Sequence, residues 1–276
     1  MADAATGAPQ IQGNLPLFKR AEPLNLQMHK GMGLKYGDRP FDFLNEAHFV
    51  PITVGEFAQV SGSYPIIFLG SSYVPVAVMG LQAGTNLFVD PATGNFEPHG
   101  YLPAFVRRYP FVAAVHPDEK ERFTLCVDAG SHLMSDQPDQ PFFDENGQLT
   151  PFVQNAMDFV QRYEADAFTT MKMIEELRGL DLLEEQSTNF QPRDAEGNPV
   201  GEPQVIATYF GISQEKLRAV PEKTLAELRD NSLLGAIYAH MLSMARWEQI
   251  LSRAAARQNG VLGQAQPVMA PPPAEA

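Results

Sequence analysis

The chain has 276 residues, of which 44% are hydrophobic and 19% charged, so it is long enough to bury its own core and too apolar to be wholly disordered. Its 33 acidic residues outnumber its 20 basic ones, for a net charge of −13, and its longest basic clusters are the dipeptides Lys19-Arg20 and Arg107-Arg108. That balance argues against nucleic acid and anionic membrane surfaces as partners.

Cys126 is the single cysteine, which excludes an internal disulfide and a thiolate-rich zinc site and suits a reducing compartment. The opening MADAATGAPQIQGN has neither a basic stretch nor an apolar one of the secretory kind. No apolar run approaches the ~20 residues that span a bilayer. These features lead to the expectation of a soluble, cytoplasmic protein with no membrane insertion.

Residues 1–14 are small and polar and residues 261–276 are rich in Pro and Ala, so both are expected to be disordered tails around a single domain over 15–258. From Leu15 to about Val127 the sequence consists of strand-length apolar runs between turn signals: Tyr64 to Leu69, Val74 to Leu81, Asn86 to Val89, Phe111 to Val115, and Phe123 to Val127. The spacing predicts an antiparallel, meander-like sheet over a β-rich region ending near residue 145. No helical pattern alternates with the runs, which disfavours a parallel layout.

After Asn146-Gly147 the period changes. Thr150-Pro151 opens a helix whose apolar positions include Val153, Met157, Val160, Phe168, Met171, Ile174 and Leu177, with Gly179 as its C-cap. A short hairpin is expected over 187–210, turning at Glu196-Gly197-Asn198 with Val205 to Ala207 as one strand. Ser213 should cap a helix reaching Ala219, and Pro221 should start another reaching Leu228. A last long helix is predicted from Ser232 to Gln258, closed by Asn259-Gly260. The class is α+β, an antiparallel β-rich N-terminal half packed with a helical C-terminal half.

Three constellations could carry function. His116-Pro117-Asp118 has the H-x-D spacing of an iron facial triad, which needs a further histidine, His132 or His240; its plainer reading is a polar turn. Cys126 could be a nucleophile, but in an apolar strand it reads first as core filler. The segment from Tyr101 to Phe111 gathers aromatics with two arginines, and Tyr101, Arg107, Arg108 and Tyr109 are the candidate partner-binding residues, since Arg and Tyr are favoured in recognition hot spots. Its plainer reading is aromatic core with arginines in ion pairs. No phosphate loop, nucleophile elbow or HExxH motif is present.

The phrases PLFKRAEPLN, YPIIFLG, PVAVMGLQAGTNLFVD, GYLPAFVRRYPF, FTLCVD, PFFDENGQLTP and SLLGAIYAHMLSM together resemble the bacterial SapC family, from about Leu15 to about Leu251. Phe96 stands where members usually carry Trp, keeping an aromatic. The resemblance implies a link by name to bacterial surface layers. It also implies gene neighbours encoding TonB-dependent receptors, cupin-like or 2-oxoglutarate-type oxygenases and flavin-dependent halogenases. It carries over no catalytic residues and no cofactor. The peptide-transporter permease of the same name would need several membrane helices, which this sequence lacks. The resulting expectation is a non-catalytic accessory protein that binds a protein or peptide; the alternative is a non-haem iron-dependent, oxygenase-like enzyme using His116 and Asp118.

Overall fold

The structure, a computed structural model, describes residues 16–116, 119–191 and 198–258, with the backbone alone at 115–116, 119–122 and 258. The stretches read as tails, the Glu196-Gly197 turn pair and Asn259-Gly260 lie outside the described residues. In chain order come β1 (Ala21–Pro23), α1 (Leu26–His29), β2 (Gly33–Leu34), β3 (Phe49–Pro51), α2 (Phe57–Ser61), β4 (Ile66–Leu69) and β5 (Val74–Val78). Then follow α3 (Ala104–Arg107), β6 (Phe111–His116), β7 (Glu119–Asp128), β8 (Met134–Ser135), β9 (Gln140–Pro141) and α4 (Pro151–Gly179). The chain closes with β10 (Leu183–Phe190), β11 (Gln204–Ile212), α5 (Gln214–Arg218), α6 (Glu222–Asp230), α7 (Leu233–Ser243) and α8 (Trp247–Gln258).

Antiparallel sheets occupy the N-terminal half and most helices the C-terminal half, an α+β arrangement. The strands do not form one meander. The main five-stranded sheet runs β10-β11-β4-β5-β3, so the C-terminal hairpin supplies two of its strands, and β1-β7-β6 and β8-β2-β9 make two separate three-stranded sheets. Asn86 to Val89 is not a strand either. The Asn86 side chain donates to the Ala47 carbonyl (2.9 Å) and accepts the Phe88 N–H (2.8 Å), taking hydrogen bonds a ladder would otherwise use, and only an isolated bridge joins Val89 to Phe96.

Strands β4 and β11 meet at one register pair, Phe68 with Phe210. Beyond it a helix side chain stands in for the ladder. His240 of α7 bonds the Ile66 carbonyl through Nδ1 (2.8 Å) and accepts the Ile212 N–H at Nε2 (3.0 Å), while Ser243 Oγ accepts the Ile66 N–H (2.9 Å). These partners require the neutral imidazole with its proton on Nδ1. Ser243 also donates to the His240 carbonyl (2.6 Å). That backbonding, with the pull on Ser243 from β4, accounts for the 3-10 turn Met244–Arg246 that splits the expected long helix into α7 and α8.

The 29-residue α4 is the spine. Thr150 precedes Pro151 as expected, but its hydroxyl donates to the Pro141 carbonyl (2.7 Å) and no side-chain cap forms. Val153 and Val160 pack with Leu34, Phe111, Val127 and Phe142, whereas Tyr163, Met173, Ile174 and Leu177 join the main core of Phe57, Tyr64, Phe68 and Ile237. Phe168 and Met171, counted in the apolar stripe by spacing, are exposed. Cys126 is fully buried, and desolvation pushes its thiol up to about 11, as core filler should behave. Ser213 caps α5 by accepting the Lys216 N–H, and α6 follows Pro221, both as the caps foretold.

Candidate partner-binding groove

The segment 101–111 is fixed first by an acid that sequence reading passed over. Glu56, almost fully buried, closes a capping box on Thr53 by accepting its N–H at Oε1 (3.0 Å). Its Oε2 accepts the Tyr101 hydroxyl (3.0 Å) and the Ala104 N–H (2.8 Å), which anchors the start of α3. Burial, with the Glu56 carboxylate beside it, holds the Tyr101 hydroxyl above its ordinary pKa. The Thr53-x-x-Glu56 spacing was the available signal for this carboxylate.

Arg107, at the end of α3, is exposed. Its Nε donates to the Leu102 carbonyl (3.0 Å) and Nη2 to the Tyr101 hydroxyl (3.2 Å). The guanidinium lies 5.2 Å from the Phe159 ring centre and 5.8 Å from that of Tyr101. Two of its five N–H groups are thus used, and no carboxylate among the described residues pairs with it.

Arg108, the next residue, points inward. It is 5% exposed, ion-pairs with Glu164 (3.1 Å), and lies 4.2 Å from the ring centre of Tyr163 and 4.5 Å from that of Phe105. Its Nε is buried without a hydrogen-bond partner. Burial lowers the Arg108 pKa and raises that of Glu164, and the attraction between the two opposes both shifts. Tyr109 is also buried: its ring stacks on Phe43 at 3.9 Å, and its hydroxyl donates to Asp128 (3.1 Å). Burial pushes that hydroxyl above the ordinary tyrosine range. The structure therefore places Tyr101 and Arg107 at the surface together, and Arg108 and Tyr109 beneath them.

Above this layer runs an open groove of about 220 Å³. Leu34, Phe111 and Phe152 form its apolar floor, and Tyr36, Arg107 and Asn155 its exposed rim. Tyr36 stands alone in a polar loop and Asn155 lies off the apolar stripe of α4, so neither carried a sequence signal.

The adjacent arginines should behave oppositely. Arg108→Ala is expected to cost about 3 kcal/mol, because it strands the half-buried Glu164 carboxylate and empties the aromatic sandwich. Arg107→Ala is expected to stay within ~0.5 kcal/mol of wild type. Urea unfolding of both variants checks the contrast, and equal losses would refute it.

The iron reading finds little to use. Asp118 lies outside the described residues, and only the backbone of His116 is described, in β6. His240 has both ring nitrogens engaged by the backbone, and His132 Nε2 bonds the Arg39 carbonyl (3.1 Å). Among the described residues no group of three His, Cys, Asp or Glu side chains could hold a metal ion.

The model of the SapC family matches residues 24–250, from the residue after β1 into α8. The chain belongs to the SapC family. No curated protein and no solved structure matches it. The match takes in the whole Tyr101–Phe111 segment, so this SapC-family protein carries the groove within the family region and not in an appended tail. Among the described residues, no helix of the SapC-family chain is long and apolar enough to cross a membrane.

Proposed function

We propose that this SapC-family chain is a non-catalytic accessory protein that folds as one domain over 15–258 and holds a segment of a partner protein or peptide in the groove beside Arg107. One observation carries the reading: an exposed guanidinium is immobilised by two hydrogen bonds and two rings at the rim of an apolar groove, with no carboxylate among the described residues to occupy it. Ordering a long cationic side chain costs rotamer entropy before any partner arrives, which is how recognition hot spots reduce the cost of binding. Arg107 makes the contact in this reading, Tyr101, which does not line the groove, holds it in place through its hydroxyl, and Arg108 and Tyr109 support it from below. The lone buried cysteine suits a cytoplasmic site of action, and the net charge of −13 disfavours nucleic acid.

The candidate partners are the products of two kinds of gene that the resemblance places beside family members, the oxygenase and the halogenase, which a chain acting in the cytoplasm can meet. Calorimetric titration of each purified product against the full chain tests the proposal. At least one is expected to bind, and Arg107→Met is expected to weaken it about 30-fold, the size of a hot-spot loss, without lowering the melting temperature. Binding that is indifferent to Arg107→Met, or no binding at all, would remove the support.

A further inference from the structure

We infer that the groove selects a peptide segment bearing a single carboxylate next to one aromatic or aliphatic side chain. This deepens the partner-binding reading and rests on it. Three of the five Arg107 N–H groups have no protein partner among the described residues, and a guanidinium matches a carboxylate with paired N–H···O bonds. A buried donor belongs to the next residue, which also borders the groove: Arg108 is 5% exposed and its Nε has no hydrogen-bond partner among the described residues. Unpartnered buried donors are rare because each forfeits its hydration, so the orphaned Arg108 Nε beside the free prongs of the exposed Arg107 favours this groove as the place where an acceptor arrives with a ligand.

The groove's size and the protein's charge narrow the class further. A space of about 220 Å³ falls below the roughly 300–1,000 Å³ of small-molecule pockets, which suits one large side chain better than a whole small-molecule ligand. Its floor of Leu34, Phe111 and Phe152 suits an apolar side chain. An acidic run would meet the field of a chain carrying net charge −13, so one carboxylate, paired locally, is favoured over several. The open rim of Tyr36, Arg107 and Asn155 lets the peptide backbone pass across.

The test pans a library of random linear heptapeptides on the full-length protein, with an Asn155→Trp variant, which fills the groove from an exposed helix position, used to subtract other binders. Peptides that survive subtraction are expected to place one Asp or Glu within two residues of Phe, Tyr, Trp or Leu. For the best of them, changing the acid to its amide should weaken binding about tenfold or more on wild type and much less on Arg107→Met. Arg107→Lys repeats the cycle with charge kept and the fork lost, should the Met variant fold poorly, and is expected to fall between the two. Binders lost in Asn155→Trp that lack a carboxylate, or whose amide loses as much on Arg107→Met as on wild type, overturn this inference and leave the groove reading standing. A library that yields nothing able to tell wild type from Asn155→Trp overturns both.

Discussion

Replacing Asp128 by Ala is expected to remove about 4 kcal/mol of stability, on the order of 10 °C in melting temperature. The carboxylate is fully buried and accepts four hydrogen bonds: Oδ1 from the Arg20 N–H (2.7 Å) and Gly130 N–H (3.1 Å), and Oδ2 from the Lys19 N–H (3.1 Å) and Tyr109 hydroxyl (3.1 Å). With Ala there, three backbone donors and a phenol lose their acceptor at once. Water can reach the exposed Lys19 and Arg20 side, which keeps the cost below the sum of four separate penalties of ~1–3 kcal/mol. The damage should have an address. Asp128 ties down the stretch whose Phe18 ring sits 5.3 Å from Tyr109 and 5.7 Å from the Arg108 guanidinium, so loosening it uncovers the underside of the groove. Amide exchange should rise first at residues 19–24. A loss under about 1 kcal/mol, or faster exchange spread evenly over the chain, would contradict this account.

Stability is expected to fall by about 2 kcal/mol between pH 7.5 and pH 5 through His240 alone. Burial lowers its folded-state pKa from 6.5 to about 4, against a smaller opposing effect of its bond to the Ile66 carbonyl. The unfolded chain therefore takes up a proton first as pH drops. The contribution is complete above the unfolded value and drains away as pH falls from 6.5 towards 4. The geometry acts in the same direction as burial: protonation would place a second N–H against the Ile212 N–H, where the fold needs an acceptor. His48, half-buried, is shifted the same way by burial and adds to the slope, so the measurement must be a difference. Urea unfolding of wild type and His240→Gln at both pH values isolates it. The variant should lose about 2 kcal/mol or more at pH 7.5 and show a shallower pH dependence; parallel curves would show that the imidazole is not held neutral.

The parts of this protein legible in its sequence are those decided within a few residues of chain. Thr150-Pro151 and the apolar recurrence after it mark α4, Ser213 and Pro221 mark α5 and α6, and alternating β-branched runs mark β4, β5, β6 and β7. The Tyr101–Phe111 segment was visible as a candidate by composition, but which of its arginines reaches solvent was not. Successive helical positions point about 100° apart, so Arg107 and Arg108 face different ways, and the packing of Phe18, Phe105 and Tyr163 determines which one is inward.

Tertiary structure decided which strands pair, where the last helix breaks and what the groove contains. Each of these depends on groups far apart along the chain: His240 reaches Ile66 across 174 positions, Arg108 reaches Glu164 across 56, and Asp128 reaches Arg20 across 108. Composition and spacing mark which apolar stripes are buried, but the polarity of His240, Arg108 and Asp128 would place all three at the surface, and all three are buried. Nor can composition and spacing name the partner, because a buried polar group is satisfied by whatever the completed fold brings within hydrogen-bond distance.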